Sequence, residues 1–377
     1  MHLKIKKTLH LAALFVGIAA NTSAQTILSG NISGTWTPSG NPYIISANAT
    51  VPSGQSLTIQ AGVIVFIGQG NSITVNGGIQ AVGTSSQHIT FEALNNTQYW
   101  NTISLHNGGT SIFNYCDFEY ATNALDCVGT SIVGTSPNTS NEVNYCTFTD
   151  VVGTALAFNN QCGNQVLFSS FQNVSNGITM TVTNSNWVLN NNIANCSFIN
   201  CNGYAVSGVS AGNGPYSATI FSTIQNCSFS SVGGGCNFSI GPQSGALNTG
   251  NAHVGFTNNS FNGVTNTAIS LTANETAGIA SATLANNIYA NASSTVVTQS
   301  PWQIVTVSAP LLLLSKAVSL QSYVLNIGSN YQVQASSDLI NWTNQGSVFV
   351  ATNSFWQSSN YWPVADWNQL FFRLVSQ

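Results

Sequence analysis

The chain contains 377 residues, of which only 4% are charged and 43% are hydrophobic. Between Gln25 and Pro301 there is no lysine or arginine. This excludes nucleic-acid binding, because proteins of that class neutralise phosphates with several basic side chains. The high apolar fraction also argues against a disordered chain, despite the low charge.

The N-terminus has the pattern of an export signal. Three lysines within the first seven residues precede an apolar run at residues 9–20, and residues 22–24 are small. This order is typical of a secretory signal peptide, here residues 1–24 with cleavage after Ala24. The apolar run is too short to span a bilayer, and no other stretch predicts an integral membrane segment. We therefore predict a secreted or cell-surface protein.

Seven segments further along share one pattern centred on an aromatic residue, and successive aromatics lie 23 to 32 residues apart. Five residues after each aromatic stands a residue suited to a turn or a left-handed backbone, such as Asn123 or Gly153. Alternating strands without a helical period, repeated at this length, predict a parallel β-solenoid. The seven aromatic anchors are Phe118, Phe148, Phe171, Phe198, Phe229, Phe261 and Tyr289.

The position two residues before each anchor is predicted to point inward with the anchor, since side chains alternate along a strand. Equivalent residues of adjacent coils would then stack above one another, about 4.8 Å apart. Cysteines stacked in this way are either buried free thiols or disulfides between coils, with free thiols the preferred interpretation. This predicted inward column consists of Cys116, Cys146, Ser169, Cys196, Cys227, Asn259 and Asn287.

Upstream, residues 51–63, 77–91 and 100–103 continue the alternating strands with glycine punctuation. With these segments the sequence resembles secreted proteins of the right-handed parallel β-helix, or pectin-lyase-like, superfamily. The resemblance covers roughly residues 35–296 and implies an all-β fold, with a β-helix over residues 25–300. It implies no catalytic residue, because the shared motifs are structural.

The pattern changes at residues 301–377, which hold five of the eight tryptophans. Residues 331–342 and 371–374 resemble a small β module found at the C-termini of exported bacterial proteins. We predict a small antiparallel β-sandwich here, which either covers the last coil or presents rings to sugars. Core packing is the more common fate of such rings. The candidate ligand-binding residues are Trp356, Tyr361, Trp362 and Trp367.

Polyuronate lyases of this fold use a basic residue and often calcium, and the solenoid has no lysine or arginine to serve. His88, His106 and His253 lack paired metal-ligand spacing. We therefore predict neither a metal site nor a cofactor.

A glycoside hydrolase needs two carboxyl groups at a defined separation. Asp117 and Glu119 would share the outward face of one strand, about 6.5 to 7 Å apart, and Asp150 or Glu142 could support them. That separation suits an inverting pair. The competing explanation is that a nearly chargeless surface places its few charges where solvent is, and this explanation is preferred.

From these observations we predict a non-catalytic, exported β-helix protein that contacts a polysaccharide or a cell-surface glycan. Long polar faces rich in Asn, Ser and Thr can make many hydrogen bonds to such a partner. The alternative is a polysaccharide-active glycoside hydrolase using the Asp117 and Glu119 carboxylates.

Overall fold

The computed structural model describes most of the chain after the predicted signal peptide. Of the eight cysteines, Cys162 lies outside the described residues. The chain divides into two compact units between residues 309 and 310. Within the described part, no helix is long and apolar enough to cross a membrane. The described residues are 25–106, 111–129, 140–160, 163–183, 187–212, 218–242, 250–273, 278–307, 317–318, 320–323, 325–357, 362–363 and 371–377.

Three ladders of parallel strands form the first unit, and each full coil contributes one strand to each ladder. This is the right-handed parallel β-helix that the repeat predicts. Ladder 1 has 11 strands, Gly34–Trp36, Ser56–Gln60, Gly78–Val82, Ser111–Asn114, Asn141–Asn144, Asn164–Leu167, Val188–Ala194, Ala218–Gln225, Gly250–Thr257, Ala280–Ala285 and Gln303–Val307.

Ladders 2 and 3 both begin with Thr26–Asn31 and Tyr43–Val51, which are long enough to enter both. A 3-10 turn, Pro38–Gly40, lies between those two strands. Ladder 2 continues with Ile64–Ile67, Ile89–Ala93, Cys116–Glu119, Thr147–Thr149, Ser170–Gln172, Ser197–Ile199, Ser228–Ser230, Ser260–Asn262 and Ile288–Ala290. Ladder 3 continues with Ser72–Val75, Thr102–His106, Leu125–Val128, Thr154–Asn159, Asn176–Val182, Tyr204–Gly212, Gly234–Pro242, Thr267–Ala273 and Ser294–Thr298.

The seven predicted anchors form a continuous column of rings inside ladder 2. Consecutive centroids lie 4.5 to 5.4 Å apart and the ring planes agree within 9°. Phe91, one coil earlier, extends the column at 5.1 Å from Phe118. The spacing follows from the rise between parallel strands, which sets equivalent side chains directly above one another. The predicted register of the seven coils is confirmed.

The predicted inward column is also confirmed, since its members are buried apart from the half-buried Asn287. The seven described cysteines are free thiols. Towards the end of the column, amides join the coils, because Asn259 Nδ2 donates to Asn287 Oδ1 at 3.0 Å and Cys227 N donates to Asn259 Oδ1 at 2.9 Å.

A single left-handed residue turns the chain from ladder 1 to ladder 2. Four coils use asparagine here, which tolerates this backbone, as at Asn195 with φ of 56°. Three earlier coils use Tyr115, Tyr145 and Phe168 with φ of 52 to 55°, a conformation that is uncommon for bulky residues. Their rings stack at 4.7 and 4.9 Å on the outside of the solenoid.

Coil length varies mainly at the connection from ladder 3 to ladder 1. Twelve residues separate Val128 from Asn141, and four separate Asn159 from Asn164. The turn from ladder 1 to ladder 2 keeps one left-handed residue in each of seven successive coils. In the seven aligned coils, the largest differences in connection length therefore lie along one edge of the solenoid.

The second unit pairs its strands antiparallel, as predicted. Ala317–Val318 pairs with Trp362–Pro363, and Gln321–Tyr323 pairs with Phe355–Gln357. Asn330–Ser336 lies between Thr343–Val350 and Phe371–Ser376. A small core contains Leu325, Tyr331 and Ala351, against which Phe349, Trp356 and Leu374 pack. The domain boundary after residue 300 remains a prediction. In the structure the last strand of ladder 1, Gln303–Val307, lies just after that position.

Candidate functional site

An open groove of about 580 Å³ lies on the outer face of ladder 1. Strand alternation builds it, because every second residue points away from the core. One outward column runs in register along six coils and consists of Glu142, Gln165, Asn192, Thr223, Gly255 and Thr283. A second column consists of Asn190, Phe221, His253 and Ser281. We call the surface lined by these ten residues the ladder 1 groove.

The second column exists because the ladder 1 strands lengthen along the solenoid. Asn141–Asn144 and Asn164–Leu167 have four residues each, whereas Val188–Ala194 has seven and Ala218–Gln225 has eight. Six coils correspond to five inter-strand spacings, or about 24 Å along the solenoid axis. The groove is therefore long and runs across the strands.

Aromatic and polar groups line the groove together. Phe221 is 42% exposed, and its ring stacks on the His253 imidazole with centroids 4.9 Å apart. His253 Nδ1 lies 2.8 Å from Ser281 Oγ, and Thr223 Oγ1 donates to Asn192 Oδ1 at 3.1 Å. Such a surface offers hydrogen-bond donors and acceptors beside an apolar ring.

A buried polar column lies directly beneath the groove. Asn141 Nδ2 donates to Asn164 Oδ1 at 3.0 Å, and Asn164 Nδ2 donates to Asn191 Oδ1 at 2.8 Å. Asn191 Nδ2 then donates to Ser222 Oγ at 3.0 Å. Because each buried amide finds a partner in the next coil, the column fixes the coil register under the groove.

The predicted carboxylates Asp117 and Glu119 lie on the outer face of ladder 2, as their alternation predicts. Glu92 stands opposite Glu119 in the adjacent strand. The pKa of the Glu119 carboxyl is raised, first by partial burial and then by the negative charges of Glu92, Asp117 and Asp150. The Glu119 carboxyl therefore holds its proton to a higher pH than an ordinary glutamate does.

Asp117 has specific partners of its own. His88 Nδ1 lies 3.0 Å from Asp117 Oδ2, and the Thr147 hydroxyl donates to Asp117 Oδ1. The Tyr115 ring lies 5.7 Å from the His88 ring. The structure therefore joins a histidine and an acid that lie 29 residues apart in sequence.

The other acids of this stretch face elsewhere. Asp126 lies on ladder 3 and accepts a hydrogen bond from Asn159 Nδ2 at 2.7 Å, while burial raises its pKa. Glu142 lies on ladder 1, in the groove. Because a coil carries the chain around all three ladders, acids close in sequence are distributed over three faces. Asp150 is the one that stays near Asp117 and Glu119, at the left-handed residue after Thr147–Thr149.

The aromatic residues predicted to bind ligand in the second unit are described only in part. Trp356 stacks on Phe349 at 4.6 Å and packs against the core of the unit. Trp362 lies in a strand, but its side chain and all of Tyr361 and Trp367 lie outside the described residues. Ligand binding by these residues remains a prediction.

Across the described ranges, no group of three or more His, Cys, Asp or Glu side chains is arranged to hold a metal ion. Two of the three histidines considered in the sequence contact serine hydroxyls. His253 contacts Ser281, and His106 Nε2 lies 2.9 Å from Ser104 Oγ.

No family profile and no curated protein matches the sequence. Solved structures with a similar backbone fold include alginate lyase from Paenibacillus sp. str. FPU-7, at 14% sequence identity and a TM-score of 0.30. That match covers 63% of this chain and 91% of the lyase chain. A mutant tailspike protein of E. coli bacteriophage HK620 in complex with a pentasaccharide has 14% identity and a TM-score of 0.36, covering 91% and 86%.

A variant of the catalytic domain of GH87 alpha-1,3-glucanase in complex with nigerose has 14% identity and a TM-score of 0.37. That match covers 76% of this chain and 63% of the domain. All three likenesses are too distant for any conclusion about the site to rest on them.

Proposed function

We propose that the chain is an exported, non-catalytic β-helix protein that binds carbohydrate in the ladder 1 groove. The observation that carries this proposal is the groove itself, a polar channel about 24 Å long with an exposed ring, Phe221, in its wall. Glycan chains are long, rich in hydroxyl groups and partly apolar on their C–H faces. Amides and hydroxyls in register, interrupted by one aromatic ring, complement each of those properties.

Rigidity of the groove supports the same function. The lining residues project from strands that are held by ladder hydrogen bonds above a satisfied column of buried amides. A preorganised surface loses little conformational entropy when a ligand binds, so weak individual hydrogen bonds can add up to useful affinity.

A glycan array with the purified protein, followed by affinity gel electrophoresis on the polymers that bind, tests the proposal. Gln165→Ala and Phe221→Ala should each weaken retention about fivefold, the equivalent of roughly one hydrogen bond or ring contact. Gln80→Ala is the matched control, because Gln80 lies in the same outward column as Glu142 and Gln165 but two coils before Glu142, outside the groove. Equal retention of the Gln165→Ala and Gln80→Ala variants would contradict this site.

A second candidate function, hydrolysis of a polysaccharide, is favoured by one observation. Glu119 has a raised pKa and stands in register with Glu92, and a raised carboxyl pKa is a property of the general acid in glycosidases. Adjacent parallel strands lie about 4.8 Å apart, which is near the separation of carboxyl groups in retaining glycosidases. Asp117 and Glu119, further apart along one strand, suit inversion instead.

Reducing-sugar release on a panel of polysaccharides tests this candidate. If it is correct, Glu119→Gln abolishes release, whereas Asp126→Asn, an acid-to-amide change on another face, leaves it intact. The anomer of the first product, followed by NMR, then distinguishes the partner: retention assigns Glu92 and inversion assigns Asp117. Release that is unaffected by Glu119→Gln would eliminate the candidate.

A further inference from the structure

The charge of the ladder 1 groove is confined to one end. Glu142 is its only Asp or Glu among the described lining residues, and it stands at the first of the six coils. The rest of the lining consists of amides, hydroxyls, glycines, Val254, the Phe221 ring and the His253 imidazole. His253 in turn contacts Ser281 Oγ at 2.8 Å.

The solenoid offers no lysine or arginine to balance an acidic ligand, and the one imidazole among the described groove residues is that of His253. Residues 25–301 contain no lysine or arginine at all, so a uronate, sulfate or phosphate lying in the groove would meet no lysine or arginine cation. Near Glu142 it would meet a like charge instead, and like charges at short range repel. Recognition of carboxylates and phosphates in proteins relies on arginine or lysine for the opposite reason.

Uncharged hydroxyl groups suit the same lining well. Gln165, Asn190 and Asn192 each carry an amide oxygen that accepts and an amide nitrogen that donates, and a sugar hydroxyl also does both. Gln165 and Asn192 stand in register in adjacent coils, about 4.8 Å apart, and the hydroxyls of Thr223 and Thr283 continue the same column along the axis. A ligand that uses several of them must therefore extend parallel to the solenoid axis.

We infer that the ladder 1 groove selects uncharged glycan chains that lie parallel to the solenoid axis, and that Glu142 disfavours acidic ones. This inference rests on the proposed carbohydrate-binding function and adds the substrate class and the residue that sets it. It assigns Glu142 a selecting role and no part in bond cleavage.

Retention on matched pairs of polymers tests the inference. Dextran, soluble starch and hydroxyethyl cellulose are compared with the carboxymethylated form of each backbone, namely carboxymethyl dextran, carboxymethyl starch and carboxymethyl cellulose. We expect retention on at least one neutral polymer, with its carboxymethylated partner bound at least about tenfold more weakly because of charge repulsion. Retention on the neutral polymer should change less than about twofold between low and high salt, since no ion pair is involved.

Glu142→Gln supplies the decisive variant. It should raise binding of the carboxymethylated polymer about tenfold relative to binding of its neutral partner, because the amide removes the charge and keeps the shape of the side chain. Asp126→Asn is the matched control, because it removes a carboxylate from the face of ladder 3, outside the groove, and should leave this ratio unchanged. Neutral oligosaccharides should bind more tightly with increasing length until they span the groove.

The outcomes separate the two proposals. Binding of acidic polymers as strongly as neutral ones, or equal behaviour of the Glu142→Gln and Asp126→Asn variants, overturns the selectivity and leaves carbohydrate binding standing. Affinity that does not depend on oligosaccharide length overturns the axial direction. Retention on no polymer at all overturns the carbohydrate function, and the selectivity with it.

Discussion

Phe198 lies in the middle of the column of stacked rings, and replacing it with alanine perturbs the solenoid core at one coil. The side chain is fully buried. Its ring lies 4.8 Å from Phe171 on one side and 5.0 Å from Phe229 on the other, with planes within 8°. Phe198→Ala removes both ring contacts and leaves a cavity that the hydrogen-bonded coils above and below cannot easily fill.

The expected loss of unfolding free energy is large. Truncating a buried phenylalanine to alanine costs about 3–5 kcal/mol, and each aromatic pair contributes about 0.5–1.5 kcal/mol beyond burial. Because two pairs are lost, we expect a value near the upper end, about 4–5 kcal/mol. Phe198→Leu retains most of the volume and should cost about 1.5 kcal/mol. Phe221→Ala, at a ring 42% exposed, should cost less than about 1 kcal/mol.

Urea unfolding gives the total change, and native-state hydrogen exchange locates it. In a solenoid each coil contacts mainly its neighbours. Loss of protection should therefore be greatest in Ser197–Ile199 and in the two neighbouring strands of ladder 2, Ser170–Gln172 and Ser228–Ser230. If Phe198→Ala and Phe221→Ala destabilise the protein equally, or if Phe198→Ala costs less than about 1 kcal/mol, the ring column is not a packed core.

Glu119→Gln removes a carboxyl whose pKa is raised by burial and by Glu92. The contribution of this carboxyl to the free energy of unfolding is fully present below its pKa in the unfolded state. It is lost as the pH rises through its pKa in the folded state. The fall in unfolding free energy above about pH 4.5 should therefore flatten in the variant, and parallel pH profiles would refute this. Asn191→Ala removes the acceptor of Asn164 Nδ2 and the donor to Ser222 Oγ and should cost about 2–3 kcal/mol in urea unfolding, against less than about 0.5 kcal/mol for exposed Asn190→Ala. Ellman's reagent should label at most one of the eight cysteines before unfolding, because the seven described cysteines are buried. Burial also raises the pKa of the Cys201 thiol to about 12, which keeps it in the unreactive thiol form. Rapid labelling of several cysteines in the folded protein would contradict the packing.

The register of the β-helix could be predicted because large aromatics at a regular interval must share one interior position. The location of the left-handed residues could not. Asn123 and Gly153 lie in the bends predicted for them, but the left-handed residues of those coils are Tyr120 and Asp150. Gly153 serves another purpose, since a Cβ there would collide with Asn123 Oδ1 from the preceding coil. That oxygen accepts a hydrogen bond from Thr154 N at 2.8 Å.

The candidate sites were predicted less completely. Asp117 and Glu119 do lie outward on one strand, but Glu92 was missed because it belongs to a coil upstream of the seven aligned units. The spacing of 27 residues from Phe91 to Phe118 falls within the range of the repeat and would have placed Glu92 beside Glu119. The ladder 1 groove had no such signal, because it depends on strand lengths that periodicity alone does not determine.

The variable connections between ladder 3 and ladder 1 have a consequence for how such a protein can evolve. Insertions of different length, such as the twelve residues before Asn141 and the four before Asn164, leave the inward columns in step. Ser140 and Gly163, at the ends of these two connections, also line the ladder 1 groove. Mutation at this edge can therefore reshape what the surface contacts without repacking the core. Ligand preference and folding can thus be selected almost independently.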